Sequence, residues 1–201
     1  MRKVLPAIIA ALGLILLSPV KAADYKAGPY AGVTAGVATG YLTNSTGDLT
    51  TNGIPVSGIV GTTFALGNGL VIGGEIEAVW SNVKGSQTAA GFTLEASSDY
   101  TLNVKARLGY AAGPALIYAT AGPSWSKSKM EIAGLKDDHL ALGVLAGGGV
   151  DFQITQTIAA RFEATRTFSM AGTDWQLGAA PAIRLDSGET TIRAGLVFSL
   201  N

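Results

Sequence analysis

From Leu142 to Phe168 the chain alternates between two kinds of position, with a period of two, on both sides of a short interruption. Leu142, Val144, Ala146, Gly148, Val150 and Phe152 share one parity, and Gly143, Leu145, Gly147, Gly149 and Asp151 share the other. After a turn near Gln153 to Thr157, the apolar Ala160, Phe162, Ala164 and Phe168 alternate with Arg161, Glu163, Thr165 and Thr167. Period two is the signature of β-strand, whose successive side chains point to opposite faces. Charges sit on the small-residue face, opposite the apolar one. The pattern therefore predicts a closed sheet with a cramped polar interior and an outer face in lipid.

The same alternation recurs along the chain. A strand over Pro29–Tyr41 turns Ala31, Val33, Ala35, Val37 and Tyr41 outward and Tyr30, Gly32, Thr34 and Gly36 inward. A second, roughly Val56–Leu66, passes through Gly67-Asn68-Gly69, a strong tight-turn signal, into Leu70–Asn82. There Ile72, Gly74, Ile76, Ala78 and Trp80 oppose Gly73, Glu75, Glu77, Val79 and Ser81. The fourth strand sends Tyr100, Leu102, Val104, Ala106, Leu108 and Tyr110 out and Thr101, Asn103, Lys105, Arg107 and Gly109 in. A fifth runs from the turn at Ala111–Pro114 to about Trp125, with Tyr118 inward, and leads to the pair already described. The last, Thr190–Leu200, puts Ile192, Ala194, Leu196, Phe198 and Leu200 out and Arg193 in.

The predicted fold is all-β, an eight-stranded antiparallel up-and-down transmembrane β-barrel, with an even strand count as such barrels require. Thr43–Gly53, Val83–Ser98, Lys127–His139 and Ser169–Gly188 read as long polar loops. Within the last, Pro181 argues against a paired central strand over Trp175–Arg184. Short turns near Asn68, Gly113 and Gln156 alternate with these loops, as periplasmic turns alternate with extracellular loops. Both termini then belong in the periplasm. Tyr41, Trp80, Tyr100, Trp125 and Phe168 fall at the long-loop ends, and Phe64, Tyr110, Phe152 and Phe198 at the short-turn ends. They read as two interfacial aromatic girdles.

Composition sharpens this picture. The 201 residues are 48% hydrophobic and 14% charged, greasy for a soluble enzyme. Beyond the N-terminus no run is long and apolar enough for a transmembrane helix. Glycine, at 27 residues without a G-X-Y repeat, fills tight space. Net charge near zero gives no reason to expect nucleic acid as a partner. With no cysteine, disulfides and thiolate metal sites are excluded. Arg2 and Lys3 precede an apolar run, Val4–Leu17, and Val20-Lys21-Ala22 has the small-x-small form of a cleavage site. Residues 1–22 are expected to be a signal peptide cut after Ala22, and 23–201 the barrel; a short membrane anchor is the other reading of that run.

The inward charges are Glu75, Glu77, Asp151 and Glu163 against Lys105, Arg107, Arg161 and Arg193. They balance because an unpaired charge in a narrow lumen costs several kcal/mol. The set reads either as a polar core that holds strand register or as a gate. Glu75 and Glu77 face bases, which argues against paired-carboxylate catalysis. His139 is the single histidine, with loop acids but no suitably spaced serine beside it. Gly147-Gly148-Gly149 lies inside a strand with no helix after it, so it cradles no phosphate. No catalytic residue, metal or cofactor is indicated. Lys84, Lys127, Lys129 and Arg166 are expected near the outer rim, where they would meet lipopolysaccharide phosphates.

The segments GGEIEAVW, LNVKARLGY, IYATAGPSW, LAGGGVDFQITQTIAARFEATRTF and TIRAGLVFSL resemble, in order and spacing, the small OmpA-like outer-membrane proteins and surface antigens of alphaproteobacteria. Two departures stand out: Ala164 where the family tends to an aromatic, and a chain end at Leu200-Asn201 in place of a terminal aromatic. The resemblance implies an outer-membrane wall protein, small porin-like protein or surface antigen, and no enzyme. It implies outer-membrane lipid and lipopolysaccharide as surroundings and the barrel-assembly machinery as a partner in biogenesis. A monomer is the expected state. An adhesin acting through its loops and a lipid-modifying hydrolase are the readings from other classes.

Overall fold

The computed structural model describes residues 24–44, 47–89, 92–132, 135–170, 173–175 and 183–200. The expected signal peptide and its cleavage position, Ala22, lie outside the described residues. The strands are β1 (Pro29–Asn44), β2 (Gly47–Gly53), β3 (Pro55–Gly67), β4 (Leu70–Ala89), β5 (Phe92–Ala112), β6 (Ala115–Ile132), β7 (Leu135–Gln153), β8 (Ile158–Ser169), β9 (Thr173–Trp175) and β10 (Ile183–Ser199). All pairings are antiparallel. β1 pairs with β10 and closes the ring. β2 and β3 are two halves of one stave, interrupted at Ile54, and β9 pairs only with the start of β10. The wall is thus an eight-stave barrel.

Closure without a free edge is what lets a sheet cross lipid, because every backbone N–H and C=O in the wall finds a partner. The turn at Asn68-Gly69 is the two-residue hairpin the sequence announces. Asn68 and Gly69 have φ of 51° and 80°, the positive values a type I′ turn needs.

The register fixes the shape of the barrel. One row of paired residues leaves β8 at Ala159 and passes through Val197, Gly32, Ile59, Glu77, Asn103, Ser124 and Gly143. It returns to β8 at Ser169, ten residues higher. For eight staves that stagger sets a tilt of about 40° and a backbone radius of about 8 Å, given ordinary strand spacing and rise. Each residue then climbs about 2.5 Å along the axis.

The staves are longer than the alternation suggests. β4 has 20 residues and β5 has 21, whereas a tilted strand crosses the membrane in about 9–11. Much of each expected loop is therefore hairpin. β1 and β2 pair through Asn44↔Gly47, β4 and β5 through Ala89↔Phe92, and β6 and β7 through Ile132↔Leu135. β10 likewise begins at Ile183, and Ile183–Leu185 pairs with Thr173–Trp175 inside the segment expected to be loop. Pro181 lies outside the described residues. The physical reason is that alternation reports a difference between two surroundings. Above the membrane both faces of a hairpin meet water, and the periodic signal fades while backbone pairing continues.

Candidate functional site

The tilt brings inward side chains from all eight staves into one layer of the lumen. Its lower half centres on Asp151 of β7. Arg161 grips that carboxylate with two bonds, Nε to Oδ1 at 2.7 Å and Nη2 to Oδ2 at 2.8 Å. Arg107 Nη2 also donates to Oδ2 at 2.8 Å. Glu75 sits across from them: it accepts from Arg161 Nη1 and from Tyr30 Oη, the latter at 2.7 Å. Arg107 Nη1 donates to the same Tyr30 oxygen at 2.7 Å, and its guanidinium lies 3.6 Å from the centroid of the Tyr118 ring. Planar guanidinium groups suit this layer because each can bridge several acceptors at once.

Lys105 links the lower half to the upper. Its Nζ lies 2.6 Å from Glu75, 3.2 Å from Glu77 and 3.0 Å from Glu163. Above it Arg193 joins Glu77 at 2.6 Å and Glu163 at 3.1 Å. Hydroxyls and an amide take up remaining lone pairs. Ser57 Oγ and Asn103 Nδ2 donate to Glu77, and Tyr118 Oη donates to Glu163. The eight charged side chains the sequence singles out thus stand together, each no more than 4% exposed. Opposite charges are equal in number, so the layer needs no counterion.

Small residues make the room. At Gly149 an added Cβ would come 2.6 Å from the Tyr118 hydroxyl, and at Gly61 it would meet the Tyr30 ring. Beside the charges, Tyr30, Ile59, Ala159 and Val197 form one apolar cluster, and lower in the lumen Val71 and Leu116 form another with Tyr118. Ser57 and Tyr25 are contributors the alternation does not reveal. Ser57 lies in a stretch of small residues with weak contrast between faces, and Tyr25 precedes the first strand.

On the outside, the aromatics fall at two levels. Corrected for tilt, Phe64, Tyr110, Phe152 and Phe198 share one ring, and Trp80, Tyr100, Trp125 and Phe168 share another. The rings are roughly nine residues, or about 23 Å, apart along the axis. That matches the height of an apolar band in an outer-membrane barrel, about 25 Å. Tyr41 belongs to the upper end by sequence, and its side chain lies outside the described residues. Of the expected rim charges, Arg166 sits slightly below the upper ring, against Phe168 at 5.4 Å, and Lys127 sits above it. The side chains of Lys84, Lys129 and His139 lie outside the described residues.

Residues 7–197 match the family described as outer membrane protein beta-barrel domain. Among solved structures, Neisserial surface protein A is 16% identical, with 86% of this chain and 97% of that chain covered and a TM-score of 0.50. OprG from Pseudomonas aeruginosa is 13% identical, covering 87% and 97%, with a TM-score of 0.48. Ail, the attachment invasion locus protein of Yersinia pestis, is 12% identical, covering 86% and 100%, with a TM-score of 0.47. At such identities the likeness is one of fold alone. No curated protein sequence matches the chain.

Proposed function

This chain belongs to the outer membrane protein beta-barrel domain family, and from that premise we propose that it is a non-enzymatic wall protein and surface antigen whose lumen is closed. The observation that carries this reading is the interlocked charged layer. Eight staves leave an interior that side chains just fill, and here the filling is tied across the lumen by Lys105 and three arginines. A conducting pore needs a continuous water column, and ion pairs joining buried side chains of opposite walls argue against one. The termini face the periplasm and the long hairpins face outward. Planar-bilayer recordings of the folded protein should show rare or very small openings, with Glu75→Ala raising them. A large, steady conductance would make the layer the lining of a porin-like channel instead.

A second reading, adhesion through the hairpins, draws support from the staves that continue well above the upper aromatic ring. Exchange of the second or fourth outer hairpin would then abolish surface binding while leaving the barrel intact.

A further inference from the structure

The residues ahead of the first strand do not trail away from the barrel. Gly28, at φ 156°, turns the chain from the wall into the lower mouth, a conformation glycine adopts more easily than other residues. Across that mouth the segment is tied at two places. Thr63 N, on β3, donates to Gly28 O at 3.0 Å, and Tyr25 Oη bonds to Thr63 Oγ1 at 2.9 Å. Tyr25 N donates to the carbonyl of Gly113, in the β5–β6 turn, at 2.9 Å. From β1 the segment thus runs over the mouth to the β5–β6 turn, three staves away around the ring. The Tyr25 ring packs on Val71, Leu116 and Tyr118, the apolar floor under the charges. Beside it remains a cavity of about 20 Å³ bordered by Lys26, Asp151 and Gln153, room for about one water molecule.

We infer that Asp24–Gly28 is a stopper for the lower mouth of the barrel, a second barrier in series with the charged layer. The inference rests on the closed-lumen reading and adds a part to it. The strand pairings of the wall begin at Pro29, and the segment adds to them only the backbone bond from Thr63 N to Gly28 O at its hinge end. It is held by a few hydrogen bonds and one ring, so it can leave and return about Gly28 while the barrel stays folded. With the stopper seated, the apolar floor is shut off from the periplasmic side; with it withdrawn, water and small solutes reach Val71 and Leu116 but still meet the charged layer above.

The chain has no cysteine, so a single introduced thiol reports one position. Val71→Cys is made with and without Tyr25→Ala, and labelling by a small water-soluble thiol reagent is timed on the folded protein. Leu116→Cys serves as a second reporter should Val71→Cys fail to fold. The expected result is slow labelling with Tyr25 present and at least a tenfold faster rate with Tyr25→Ala. Tyr25→Phe, which keeps the ring, should stay close to the slow rate. Equal rates with and without Tyr25→Ala overturn the stopper. Conductance recorded on the protein without introduced cysteines, Tyr25 intact, separates the two ideas. A standing current with every native lumen residue in place overturns the closed-lumen reading, and the labelling ratio still decides the stopper.

Discussion

At the scale of the residue, the lumen is a set of charges none of which stands without partners in its neighbours. Asp151 is the clearest case, because two guanidinium groups converge on it. Asp151→Asn leaves both short of a counter-charge in a buried site, and breaking a buried pair in this way costs about 3–5 kcal/mol. Urea unfolding in lipid vesicles should register that loss. Arg107→Lys should fall between the two, since an ammonium cannot bridge Tyr30 Oη and Asp151 while stacking on Tyr118. Glycines give a matched contrast. Gly149→Ala drives a methyl into the Tyr118 hydroxyl and should destabilise by about 1–3 kcal/mol through overpacking. Gly74→Ala faces outward with nothing within 4 Å, and the same unfolding measurement should show no loss.

At the scale of the element, each long stave has a lower part in the membrane and an upper part in water. The lower part carries the lumen charges and both aromatic rings, while the upper part contributes backbone pairing. Excising residues 83–98 and joining the ends through an Asn-Gly turn should therefore leave a barrel that still folds in detergent or lipid. The heat-dependent shift in electrophoretic mobility that marks a folded barrel should persist, with a drop of only a few degrees in Tm. Failure to fold would mean that the upper hairpins carry stability that the membrane-embedded part lacks. The same variant separates wall protein from adhesin, since only the latter loses binding to a host or surface.

At the scale of the whole molecule, stagger decides what the side chains can do. Ten residues of shift around eight staves give a lumen narrow enough for arginines on different strands to meet carboxylates across it. The same tilt levels the aromatics into two rings, which set one thickness for the band that lies in a bilayer. We propose that cationic side chains near the upper ring, with Arg166 just below it and Lys127 above it, reach lipopolysaccharide phosphates at the interface. Replacing Lys84, Lys127, Lys129 and Arg166 together by Gln should reduce the lipopolysaccharide that copurifies with the barrel. Unchanged retention would show that these charges serve only to keep the rim solvated.

Strand alternation, the Asn68-Gly69 turn and the inward parity of Glu75, Lys105, Arg107, Arg161 and Arg193 were all legible in the residues, because in the membrane each strand has lipid on one face and a packed lumen on the other. The sequence by itself therefore determined the fold class, which side chains share the interior and that their charges cancel. It did not determine where the staves end, since above the membrane water lies on both faces and the polar hairpins carry no period. Nor did it determine which acid meets which base. Pairings such as Arg161 with Glu75, or Lys105 with Glu163, join residues far apart in the chain, and only the stagger set by closing β1 on β10 brings them to one height. Tyr25 belongs to the same class of decision: nothing before Pro29 is periodic, and its place under the lumen exists only once the mouth that it crosses has formed.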